Sequence, residues 1–138
     1  MSRPVPVPTA LSAEFWAAAR DGRLIIPYCP HCDLRFFVPE PACPGCLSRD
    51  WRYVSSSGRG TVYSVTVVHR APGPGFDTPF ALAIVDLADG GTLLTHVAGC
   101  APADVTVGLS VRVDFRPYTQ DITLPYFVPE ERHAVDGR

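Results

Sequence analysis

The stretch CPHCDLRFFVPEPACPGC, residues 29–46, sets Cys29 and Cys32 in one C-x-x-C pair and Cys43 and Cys46 in another, with ten residues between the pairs. Such a pair folds as a tight knuckle in which both sulfurs reach one ion at ~2.3 Å, and two knuckles complete a tetrahedron. The intervening RFFVP reads as a short strand, so a returning hairpin can close the gap. No apolar run of signal-peptide length opens the chain, and no later window approaches the ~20 apolar residues of a membrane helix. This points to a cytoplasmic protein and away from a membrane. In a reducing compartment paired thiols hold a metal rather than form disulfides. One zinc is the expected cofactor, in a structural role, because a four-thiolate site leaves no open position for water or substrate. Iron in the same geometry, the less favoured alternative, would make a rubredoxin-like electron carrier. His31 lies inside the first knuckle and is expected to be exposed, not a ligand.

Upstream, SRPVPVP cannot form a helix and predicts an extended arm. Next comes LSAEFWAAARDG. Ser12 suits an N-cap, Glu14 the positive end of the helix dipole, and Gly22 a left-handed C-terminal closure, so a helix is predicted from Ser12 to Asp21. Phe15, Trp16 and Ala19 share one side of it, to pack on the chain's own ribbon or barrel or to dock a partner. With DWRYVSSS as a further strand, residues 1–55 read as one unit lacking a large apolar core, which the metal would hold together.

From Gly58 the pattern changes to alternating, β-branched segments. GTVYSVTVVHR places Tyr63, Val65 and Val67 on one face, and FALAIVDL places Phe80, Leu82 and Ile84 on one face. GTLLTHVAG, SVRVDFRP and LPYFVP follow. ADGG signals a tight hairpin, APGPGFDTP a longer loop, and CAPADVTVGL has room for one helical turn at most. Five short strands fit a small closed barrel of the OB type over residues 56–129 better than a sandwich of about seven. Residues 130–138 read as a polar tail. The fold class is therefore mainly β, with a short helix and a zinc ribbon ahead of a five-stranded barrel.

With 138 residues and 46% hydrophobic content the chain can build a core, and its net charge of −2 draws it to no phosphate backbone. All twelve basic residues are arginine, which excludes Schiff-base and lysine general-base chemistry and the phosphate loop that needs a lysine. An OB barrel can bind single-stranded nucleic acid, and Tyr63, Phe76, Phe80 and Phe115 could stack bases, but no basic stripe accompanies them. Cys100 and His96 are four residues apart, about 13 Å along a strand, too far for a thiolate–imidazole pair unless a bulge intervenes. His69 could face Asp77 across the first barrel loop, though a plain strand-end histidine is the simpler reading. Arg70 in that loop, with Arg59 earlier on the same strand, could meet phosphates or an acidic surface.

Taken together, the FW helix followed by DGRLIIPYC, the pairs CPHC and PEPACPGC, then SGRGTVYSVTVVHRAPGPGF, VGLSVRVDF and PYFVP, resemble OB-fold proteins with an N-terminal rubredoxin-like zinc ribbon, associated with acyl-CoA metabolism. The resemblance covers nearly the whole chain. In that family a glycine commonly follows each knuckle, whereas Asp33 and Leu47 stand here. The resemblance implies an accessory subunit of a thiolase-superfamily enzyme: a thiolase, an acyltransferase, or a lipid-transfer-protein-like aldolase that shortens steroid side chains. The partner would hold the catalytic residues, this chain none. It also implies a heterotetramer and acyl-CoA at the interface; Phe15, Trp16, Arg59, His69, Arg70 and Phe76 are the expected contacts to CoA or partner.

Overall fold

Ser12 stands at the N-cap position as expected, its carbonyl accepting from the Trp16 N–H at 3.1 Å, but its side chain turns back to Thr9. In the computed structural model, which describes residues 3–130, α1 spans Ala13–Arg20, and the Ser12 side chain caps none of its amides. Thr9 Oγ1 accepts from the Ser12 N–H at 3.2 Å while Ser12 Oγ accepts from the Thr9 N–H at 2.9 Å, the reciprocal pattern of a capping box one turn upstream of the expected position. At the other end Gly22 adopts φ 76°, and the Arg23 N–H reaches the Ala18 carbonyl at 2.9 Å, which closes the helix as expected.

Three short strands follow, β1 (Ile25–Cys29), β2 (Leu34–Arg35) and β3 (Arg52–Ser55), in the antiparallel order β2-β1-β3. The RFFVP strand is shorter than expected, since β2 ends at Arg35, and its two phenylalanines serve different cores. Phe36 is buried beside Cys29 and Cys43, whereas Phe37 packs on Phe15 with ring centroids 5.0 Å apart.

The remaining strands, β4 (Arg59–Val68), β5 (Phe80–Leu87), β6 (Thr92–Val97), β7 (Ser110–Pro117) and β8 (Thr123–Pro129), close a barrel in the order β4-β5-β6-β8-β7. All neighbours are antiparallel except β6 and β8. That parallel seam is thin: one bridge joins Val97 to Phe127, and the buried Thr95 hydroxyl donates to the Pro125 carbonyl at 3.0 Å. A single 3-10 turn, Pro102–Asp104, fills the connection from β6 to β7. The polar tail expected from residue 130 lies, apart from Glu130, outside the described residues.

Strand β4 pairs with β7 over Arg59, Gly60 and Thr61 and with β5 from Gly60 to Val68, and a bulge between Val62 and Ser64 shifts the register of the β4–β5 ladder. The bulge corrects the expected face. Tyr63 is 63% exposed while Val65 packs on the core. Phe80, Leu82 and Ile84 do share a face, but it is the outer one; Ala81, Ala83, Val85 and Leu87 point inward. Small inward residues on β5 let the sheet close tightly. The core is continuous across the molecule: Phe15 and Ala18 from α1 and Leu24, Ile25 and Ile26 from the ribbon pack with Val62, Val85, Val111 and Phe127.

Gly60 marks the closest approach. A Cβ there would lie 2.3 Å from the Asp86 carbonyl oxygen, so backbone must move to admit one. Gly60→Ala is expected to destabilise the barrel by about 1–3 kcal/mol, read as a lower denaturant midpoint with an unchanged slope; an unchanged midpoint would contradict this packing.

Candidate functional site

Cys29 ends β1 and Cys32 follows in the turn, while Cys43 and Cys46 return on the opposite loop. The four sulfurs all lie within 4.8 Å of one another, with Cys29–Cys46 and Cys32–Cys43 separations of 3.6 Å. A tetrahedron with ~2.3 Å metal–sulfur bonds has edges of about 3.8 Å, so the set fits one zinc ion. Cys29 and Cys43 are buried and Cys32 and Cys46 exposed, so each knuckle supplies one inner and one outer ligand.

The backbone builds the second knuckle around Cys43. Its N–H donates to the Ser48 carbonyl and its carbonyl accepts from the Leu47 N–H, both at 2.8 Å, and the Gly45 N–H donates to Cys43 Sγ at 3.3 Å. Desolvation pushes the Cys43 thiol up, but the amides of Cys46 and Gly45 outweigh it and bring the group down to about 7. Desolvation, with hydrogen bonds from the other thiols adding, pushes Cys32 up to about 12. Four adjacent thiols cannot all ionise unaided, and a dication at their centre removes that conflict.

Among the described residues, Asp33 (φ 60°) and Leu47 (φ 67°) are the two non-glycine residues in the left-handed region, at the positions where the sequence departs from glycine. Asp33 tolerates it, and its Oδ1 accepts from the Tyr28 hydroxyl at 2.8 Å. Leu47 has no such compensation and is 76% exposed. His31 stands outside the cluster, 3.6 Å from Asp50 with both side chains exposed.

The other expected contact residues scatter. Phe15 is buried in the common core, while Trp16 is half-buried and meets it edge-on with centroids 5.1 Å apart. His69 and Arg70 are exposed just beyond β4, and Arg59 sits at its start, 3.5 Å from Glu130. The two arginines are therefore at opposite ends of a ten-residue strand, roughly 30 Å apart. They do not form the joint phosphate site that sequence reading allowed. The ion pairs among the described residues do not join His69 to Asp77.

Phe76 does enter a cluster, one that sequence reading missed. Its ring stacks on Phe80 (5.9 Å), Phe80 stacks on His96 (4.4 Å), and His96 meets Tyr126 edge-on (5.0 Å). These rings line a cavity of about 400 Å³ at the barrel mouth, which Arg3, Arg116 and Cys100 also reach. His96 and Cys100 thus share a cavity wall, but neither is prepared for nucleophilic work. Burial, with Asp104 adding, pushes the Cys100 thiol up, and burial, with Arg3 adding, lowers His96. Arg3 belongs to the proline arm, whose composition announces an extended chain but not where it lands.

A closed five-stranded OB barrel behind a four-cysteine ribbon defines the class: an OB-fold protein with a rubredoxin-like zinc ribbon and one structural zinc. Residues 16–52 match the ChsH2 rubredoxin-like zinc ribbon domain and residues 53–116 the ChsH2 C-terminal OB-fold domain. The chain belongs to this ChsH2 (DUF35) family. It is 38% identical over 127 residues to a probable enoyl-CoA hydratase alpha subunit of Thermomonospora curvata, covering 92% of this chain and 40% of that protein. It is 32% identical over 96 residues to a DUF35 domain-containing scaffold protein of Methanocaldococcus jannaschii, 67% of each. Among solved structures, the "Ltp2-ChsH2(DUF35) aldolase" superposes with a TM-score of 0.80 at 37% identity, over 91% of this chain and 98% of that one.

Elemental analysis should find one zinc per chain. Stripping it with a strong chelator should abolish the near-UV signal of Trp51, whose ring meets Phe36 edge-on, 5.6 Å away, next to the cluster. A metal-free chain with that signal intact would show that the ion does not organise the ribbon. Leu47→Gly relieves the left-handed backbone, and about 0.5–1 kcal/mol of added stability is expected, seen as zinc release at higher chelator concentration. Easier release would contradict the strain.

Proposed function

We propose that the chain is a non-catalytic accessory subunit that binds and stabilises a thiolase-superfamily enzyme, a thiolase, acyltransferase or aldolase, and helps it hold an acyl-CoA substrate. The observation that carries this reading is the match, over nearly its whole length, to a chain of the Ltp2-ChsH2(DUF35) aldolase. The scaffold name of the archaeal relative points the same way. The chemistry agrees: the metal site is closed by four thiolates, and the Cys100 thiol is held in its protonated form. Its outer surfaces suit a partner, since Leu94 (66% exposed) presents an apolar side chain in the same trough as the half-buried Trp16, and Val38 (57%) is exposed as well. On this reading Cys29, Cys32, Cys43 and Cys46 are the zinc ligands, and Phe15, Trp16, Arg59, His69, Arg70 and Phe76 lie in or behind the contact surfaces. Two copies of each chain would make the assembly.

A hydratase subunit is the second reading, favoured by the Thermomonospora relative. This chain spans only 40% of that protein, so the likeness concerns one part of it.

Co-expression with a thiolase-like protein encoded beside this one discriminates between the readings. A stable complex with the mass of a heterotetramer is expected on size exclusion, with partner activity falling at least tenfold when this chain is omitted. No complex, and a partner indifferent to this chain, would overturn the accessory reading. Hydration of an enoyl-CoA by this chain alone would support the second.

A further inference from the structure

Arg3 carries the proline arm onto the barrel. Its carbonyl accepts from the Tyr118 hydroxyl at 2.8 Å, and its Nη1 donates to the Tyr126 hydroxyl at 2.7 Å. The guanidinium lies 4.9 Å from the Tyr118 ring centroid and 5.6 Å from that of Phe76. Arg116 nearby is neutralised by Asp114 at 2.8 Å, whereas no ion pair among the described residues involves Arg3. Asp77, on the same cavity wall, makes no such pair. Arg3 is therefore a cation held by aromatic faces and a phenol, with most of its five N–H donors uncommitted.

Two cavities meet at this residue. The mouth cavity described above lies on one side of it. On the other side a trough of about 290 Å³ runs between α1 and the β6–β8 seam, lined by Trp16, Phe37, Leu93, Leu94 and Leu124. Both cavities share Arg3, His96 and Tyr126. An apolar trough that ends at an unneutralised guanidinium is complementary to a molecule built the opposite way, an apolar chain ending in an anion. The planar fork of arginine matches a carboxylate with two parallel hydrogen bonds.

We propose that this trough is a binding site for a medium-chain carboxylate, its tail lying along Trp16, Phe37, Leu93 and Leu124 and its carboxylate received by Arg3. The arm then supplies the polar end of the site, and the barrel seam with α1 supplies the apolar end. The proposal does not rest on the subunit reading, since it concerns the free chain and a ligand without CoA.

Calorimetric titration of the full zinc-loaded chain with decanoate, octanoate and hexanoate below their micellar concentrations tests it, with Trp16 fluorescence as a second readout. One site is expected, with affinity falling roughly fourfold per methylene removed. Decanol, which has the tail without the charge, should bind at least about tenfold more weakly. Arg3→Gln should lose a similar factor for decanoate while keeping its zinc content and thermal midpoint, and Arg3→Lys, which keeps the charge without the fork, should fall between. Leu124→Asp should abolish decanoate binding through the tail end. Absence of binding at millimolar decanoate would overturn the proposal. So would equal binding of decanol, or equal affinity in Arg3→Gln, either of which would mean unspecific apolar adsorption. Tighter binding by Arg3→Gln would likewise overturn it, showing the arm to be an obstruction and not a receptor.

Discussion

Four sulfurs gathered within 4.8 Å of one another are the constraint on which the first third of this molecule depends. Without a central positive charge the arrangement opposes itself: one thiol is driven up to about 12 while another is drawn down to about 7. A zinc ion converts that conflict into binding free energy. The helix and the start of β1 join the barrel core, but the knuckle region that carries the sulfurs has little else to hold it. Its own buried set is Cys29, Phe36 and Cys43, with Leu34 and Trp51 packed alongside, far too small a core to order the loops by apolar burial alone.

What the metal organises is then keyed into the barrel by shape and by one carboxylate. Ile26 is completely buried, and its Cδ1 lies so near Gly91 that a Cβ there would meet it at 2.9 Å. The same hairpin presents Asp89, which accepts from the Ser57 N–H at 2.9 Å and the Ser56 hydroxyl at 3.3 Å and stands 4.0 Å from Arg35. Tyr53 donates its hydroxyl to the Leu11 carbonyl at 2.6 Å, and burial, with Glu14 adding, pushes that phenol up to about 12, so it remains a donor. Ribbon, helix and barrel are thus tied at three places. The aromatic pair Phe15–Phe37 can therefore present Trp16 at a defined position beside the β6–β8 seam.

The seam itself explains why the chemically interesting groups gather where they do. Elsewhere the barrel is closed by runs of antiparallel pairs, whereas β6 and β8 diverge after one bridge. Divergence leaves a gap that side chains must line instead of backbone, and His96, Phe80, Tyr126 and Arg3 do so. The site is a consequence of closing five short strands around a narrow core.

The amino-acid sequence by itself determined the metal set, the helix end at Gly22, the ADGG hairpin and the five barrel strands, because each depends on groups a few residues apart. The family resemblance, not the sequence alone, marked Asp33 and Leu47 as standing where glycine is common, and both residues do take the left-handed conformation. Only the tertiary structure decided which face of a strand turns inward. A period of two says that Phe80, Leu82 and Ile84 share a side, but the choice of side follows from how closely β5 can approach its neighbours. The bulge that turns Tyr63 outward lies in the pairing of two strands, not in either alone. The meeting of Arg3 with Tyr118 and Tyr126, more than a hundred residues away, has no local signature at all. Contacts made across the chain exist only once the barrel has closed.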